Sequence, residues 1–66
     1  MPSPSFTLRL QYEDDLYVVV VKAGVVLNYQ WFYGHECFGK YSKLTDLPPT
    51  AQKDIRKQLD NYNIPT

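Results

Sequence analysis

From Ser5 to Tyr12 polar and apolar residues alternate without a break, with Phe6, Leu8, Leu10 and Tyr12 on one side and Thr7, Arg9 and Gln11 on the other. Period two is the repeat of an extended chain, so this stretch predicts a strand with one face in the core. Leu16 to Lys22 is rich in β-branched residues and apolar on both faces, the composition of a central strand. Val25 to Tyr33 predicts a third strand, and Cys37 to Tyr41 a short fourth one interrupted by Gly39.

Loop lengths then suggest a register. A two-residue hairpin loop at Ala23-Gly24 pairs Lys22 with Val25 and sets Val20 against Leu27, Val18 against Tyr29 and Leu16 against Trp31. A three-residue loop at Glu13-Asp14-Asp15 pairs Tyr12 with Leu16 and Leu10 with Val18. A three-residue loop at Gly34-His35-Glu36 puts Tyr29 opposite Tyr41 and Trp31 opposite Gly39. A slip of one residue would exchange the faces.

After Tyr41 the periodicity changes. Ala51, Ile55, Leu59 and Tyr62 lie on one stripe of a helix, while Gln52, Lys53, Asp54, Arg56, Lys57 and Asp60 fill the opposite side. Pro48 and Pro49 fit only a first turn, Asp46 or Thr50 is the expected N-cap, and Pro65 the expected stop. The expected fold is α+β: an antiparallel meander of three or four strands with one C-terminal helix on one face. The 66 residues read as a single small domain, with residues 1–5 as an extended lead-in, 6–41 as the meander and 47–62 as the helix.

In that register the helix covers Phe6, Leu8, Leu10, Tyr12, Leu16, Val18, Val20, Val25, Leu27, Tyr29 and Trp31. The other face carries an apolar centre of Tyr17, Val19, Val21 and Val26, with Phe32 and Phe38 nearby and Arg9, Gln11, Asn28, Gln30 and Lys40 around it. An apolar patch with a polar rim is the usual mark of an interaction surface. Tyr17, Val19, Val21, Val26, Phe32, Arg9 and Gln30 are therefore the expected partner-binding residues. On this reading Val19→Asp abolishes association and spares the fold. Association through the backbone of strand 1, at Thr7, Arg9 and Gln11, is the alternative if that strand is an edge.

Composition narrows the chemistry. One cysteine forms no internal disulfide, and one cysteine with one histidine makes no four-ligand zinc site. His35-Glu36-Cys37 is the only cluster of reactive types, and no third residue orients it as a nucleophile–base pair requires. Glu13-Asp14-Asp15 reads as a solvated turn. Neither a catalytic site nor a metal or other cofactor is expected. Seven Lys+Arg balance seven Asp+Glu, which is unlike the positive excess of duplex-binding proteins. The longest apolar run, Val18 to Val21, is four residues, far short of a membrane span, and the N-terminus has no apolar core like a signal peptide's.

The expected function is that of a small, complete, cytoplasmic, non-enzymatic protein. It binds a protein partner through a sheet face or edge, as a regulator, adaptor or inhibitor of the kind viruses and mobile elements carry, or self-associates as a dimer. The alternative is single-stranded nucleic-acid binding through Phe32, Phe38, Tyr41, Arg9, Lys40 and Lys43.

Overall fold

Four antiparallel strands in the order β1-β2-β3-β4 form one sheet, and a single C-terminal helix follows. In the computed structural model, which describes residues 3–65, the strands are β1 (Phe6–Tyr12), β2 (Asp15–Lys22), β3 (Val25–Tyr33) and β4 (Glu36–Tyr41). A 3₁₀ turn at Leu44–Asp46 leads into α1 (Pro49–Asn61). The fold is the α+β meander expected, with the fourth strand present.

The first loop is shorter than expected. Tyr12 pairs with Asp15, so the loop is Glu13-Asp14 alone, with Glu13 at φ 51°. That one residue turns β2 over relative to β1. Leu8 now faces Val19 and Leu10 faces Tyr17, and Tyr17, Val19 and Val21 join Phe6, Leu8, Leu10 and Tyr12 under the helix. The alternation of β1 names its core face clearly; β2 is aliphatic on both faces, so only loop length decides which of its faces follows.

The Ala23-Gly24 loop pairs Lys22 with Val25 as expected, with φ 53° and 77°, the two positive values of the hairpin turn that suits strand twist. The register then shifts: Val21 faces Val26, Val20 faces Asn28, and Leu27 stands outside the ladder. This bulge lets Val26 and Tyr29, three apart in sequence, both pack into the core. The core therefore holds Val26, whereas Val25 and Leu27 are about 60% exposed.

The third loop is Gly34-His35, also two residues, with Tyr33 pairing Glu36. A second bulge at Phe38 restores the expected pairs Trp31–Gly39 and Tyr29–Tyr41. Gly39 lies under a ring, but the ring is that of Tyr41. A Cβ at residue 39 would stand 2.6 Å from the Tyr41 hydroxyl oxygen.

The loops are tied at both ends of the sheet. At one, the Gly34 N–H donates to the Asp14 carbonyl (2.9 Å). At the other, Gly24 N–H donates to the Pro4 carbonyl (2.8 Å) and Ala23 N–H to the Ser5 hydroxyl (3.0 Å). Residues 3–5 are thereby fastened to the β2–β3 loop.

α1 starts at Pro49, later than the expected 47. Pro48 is extended (φ −58°, ψ 148°), as the residue before a proline prefers, and is itself the N-cap in place of Asp46 or Thr50. Its carbonyl accepts the Gln52 N–H, while the Gln52 side chain donates to the Leu47 carbonyl (2.6 Å). Ala51, Ile55 and Leu59 are buried as expected. The end is set before Pro65: Asn63 takes φ 59°, its N–H donates to the Asp60 carbonyl, and the Ile64 N–H donates to Leu59. This is the left-handed helix stop in which the residue past the cap folds back onto the last turn. Ile64 and Leu59 are both buried, whereas Tyr62 is half exposed and meets the Phe6 ring at 4.6 Å. With Tyr12 donating to Asp54 at the other end, α1 lies along β1 and runs antiparallel to it.

Candidate binding surfaces

Covering one face with one helix leaves the other open. Reading the ladders across, its rows are Gln11–Leu16–Phe32–Cys37, then Arg9–Val18–Gln30–Lys40, then Thr7–Val20–Asn28. Leu16, Val18, Val20 and Phe32 make a mixed aliphatic and aromatic centre, half-buried or better by their own neighbours. Arg9 and Lys40 stand exposed at the two ends of the middle row, and no carboxylate lies within these rows. Asn28 accepts from the Gln30 amide at 3.1 Å, which holds two of the polar side chains in place.

Of the expected partner-binding residues, Phe32, Arg9 and Gln30 lie on this open face. Tyr17, Val19, Val21 and Val26 do not. Val19 is 0% exposed and Tyr17, Val19 and Val21 belong to the core, with Val26 packed against it. The two-residue first loop and the Leu27 bulge are the cause. Leu16, Val18 and Val20 take their place on the open side, and Val19→Asp is a core lesion. An apparent signal for this inversion is Trp31, whose indole N–H donates to the Asp15 carboxylate at 3.0 Å. A half-buried indole needs such an acceptor, and it puts Asp15 and every second residue after it on the Trp31 side.

The residues of the alternative nucleic-acid reading do not converge. Phe32, Arg9 and Lys40 share the open face. Phe38 stacks on Trp31 on the helix side (centroids 4.9 Å), Tyr41 covers Gly39 there, and Lys43 lines a separate recess of about 340 Å³ with Tyr29 and Arg56.

On the helix side an aromatic row crosses all four strands: Tyr12, Tyr17, Trp31 and Phe38, with successive centroids 5.7, 5.5 and 4.9 Å apart. Burial, the bond to Asp54 and that carboxylate's charge push Tyr12 up to about 12. Burial raises Tyr17, helped by Asp15, and raises Tyr29 against the opposing pull of Arg56. All three phenols are thus held neutral, Tyr12 as a donor to Asp54 and Tyr17 and Tyr29 as packing groups.

His35 sits in the third loop and Cys37 is exposed, its thiol turned to the Gly39 carbonyl at 3.9 Å. Among the described residues no group of three or more His, Cys, Asp or Glu gathers as a metal ion needs, and no helix is long and apolar enough to cross a membrane.

Beside the outer edge of β1 lies an open groove of about 310 Å³, lined by Leu8, Arg9, Leu10, Gln11, Tyr12 and Gln58. β1 and β4 are the two edges of the sheet. No family model, curated protein or solved structure matches this chain.

Proposed function

We propose that this protein is a non-enzymatic binding module whose open sheet face docks a protein surface with an apolar centre and acidic flanks. The observation that carries the reading is the middle of that face: Leu16, Val18 and Val20 run along β2, and the row that crosses them through Val18 and Gln30 ends in a cation on each side, with no carboxylate in these rows. Charge complementarity favours a carboxylate-bearing partner and disfavours this face meeting a copy of itself. A two-fold axis running across the strands through Val18 lays Arg9 on Arg9, and one running along the strands between Val18 and Gln30 lays Arg9 on Lys40. With a single aromatic ring, Phe32, among the open rows, the surface suits a protein better than a run of stacked bases.

The test compares captures by wild type, Phe32→Ala, Lys40→Glu and a helix-surface control, Lys57→Glu, followed by isotherms with the purified captured protein. Burying a central ring is worth about 2 kcal/mol in such patches, so Phe32→Ala and Lys40→Glu each weaken binding tenfold or more and Lys57→Glu leaves it unchanged. Equal affinity for all four chains overturns the reading. So does tight binding of a labelled oligothymidine that falls steeply with salt, which moves the function to single strands.

A further inference from the structure

On the helix side, the segment that follows β4 and the Arg56 side of α1 border the recess of about 340 Å³. Its polar residues are of one kind: Lys43 and Arg56 bring cations, Ser42, Thr45 and Tyr29 bring hydroxyls, and no carboxylate lines it. The whole chain balances seven cations with seven carboxylates, so this recess departs from the composition around it. Two like charges sharing so small a space repel each other. Asp60, one turn beyond Arg56, lines the neighbouring recess, which Arg56 and Lys57 share with it. The deepest polar group is Tyr29, whose side chain belongs to the core and is 4% exposed. Among the described residues no protein group bonds its hydroxyl, and no fully buried side-chain oxygen is left without a partner. That oxygen therefore opens to the recess the side chain lines. A buried phenol normally finds its partner within the protein. Here the donor is aimed at open space, and the Arg56 charge bears on the same oxygen.

We infer that this recess binds the phosphate group of a small molecule. A phosphate group near neutrality carries close to two negative charges and presents three strong acceptor oxygens. Two cations match that charge. The Arg56 guanidinium suits two of the oxygens as a fork, and the Lys43 ammonium acts as a point charge. The hydroxyls of Ser42, Thr45 and Tyr29 supply donors for what remains. A carboxylate is planar and singly charged, so it would leave one cation unanswered. Ligand sites run from roughly 300 to 1,000 Å³. At about 340 Å³ this one takes a phosphate with a modest group attached to it. The recess lies on the helix side, so the inference stands or falls apart from the partner proposed for the open face.

Titration of the isotope-labelled chain with inorganic phosphate at constant ionic strength, followed by amide shifts in nuclear magnetic resonance, tests it. The expected result is saturation at millimolar phosphate, with the shifts centred on Ser42 to Thr45 and Arg56, and acetate about tenfold weaker. Adenosine monophosphate, used as a second probe, competes for the same amides, and its affinity against that of the free ion tells an ester from phosphate itself. Lys43 and Arg56 are exposed, so Lys43→Gln and Arg56→Gln keep the fold, and each weakens phosphate about tenfold or more. Tyr29→Phe keeps the ring and loses no bond within the protein. Its urea midpoint is expected to stay where it is while phosphate binding weakens about threefold or more. Shifts that never saturate overturn the inference, as does acetate binding equal to phosphate. Phosphate affinity unchanged by Arg56→Gln or by Tyr29→Phe overturns it too.

Discussion

Tyr12 couples β1 to α1 through one proton. Its hydroxyl donates to Asp54, and a tyrosinate beside that carboxylate would have neither the bond nor a tolerable neighbour. In the unfolded chain it ionises near its ordinary 10, and in the fold near about 12. The contribution is therefore complete below pH 10 and is lost as the pH climbs through 10 toward 12. Tyr12→Phe is expected to cost about 1 kcal/mol near neutrality, measured by urea unfolding. The gap between wild type and variant is expected to close above pH 10. At the first hairpin past β2, Ala23 holds φ 53°, a conformation that strains a Cβ, ahead of Gly24 at 77°. Asparagine tolerates that region better, so Ala23→Asn is expected to stabilise by about 0.5–1 kcal/mol. In a chain this size that is a rise of several degrees in Tm, read by thermal melting.

At the scale of elements, the helix owes its end to one side chain beyond it. Ile64 is 5% exposed against Leu59, so Ile64→Ala removes both a core contact and the hydrophobic half of the stop. The expected loss is about 2–4 kcal/mol, seen as a lower urea midpoint. That is most of what a domain of this size commonly has. The two faces of β2 are distinguished as directly. Val19→Asp is expected to unfold the chain, by circular dichroism, while Val20→Thr on the open side, at a half-buried position, changes stability by less than about 1 kcal/mol. These outcomes follow the part of the molecule that sequence alone read least well. β1 and α1 were legible because each has one apolar face in one period, and Phe6-Leu8-Leu10-Tyr12 and Ala51-Ile55-Leu59 left no choice. β2 has two aliphatic faces, and its orientation turned on whether Asp15 belongs to a loop or a strand. The bulges at Leu27 and Phe38 have no pattern of their own; they are where ladder and core demands were reconciled. Phe32, Arg9 and Gln30 were found for the open face because the pairs Gln30–Lys40 and Trp31–Gly39 survive either third-loop length. Leu16, Val18 and Val20 were missed with the flip of β2.

For the molecule as a whole, stability is distributed across the sheet from its centre. β2 is hydrogen-bonded on both sides and supplies Tyr17, Val19 and Val21 to the core, whereas β4 is a short edge with exposed Cys37 and Phe38. Native-state hydrogen exchange is expected to be slowest for Val18 to Val21 and fast for Glu36 to Phe38. The two-sided β2 also bears on how this chain tolerates changes of length. One residue added to the Glu13-Asp14 loop would turn β2 over, bringing Leu16, Val18 and Val20 beneath α1. The Leu27 bulge supplies the slack to accept it: closing that bulge sets Val18 against Tyr29 and Leu16 against Trp31 in an unbroken ladder. An insertion there that shatters most small sheets would here select a second, equally aliphatic packing. Lineages descending from this chain can gain or lose a residue in their first loop and exchange, in one step, the set of side chains they show to the outside.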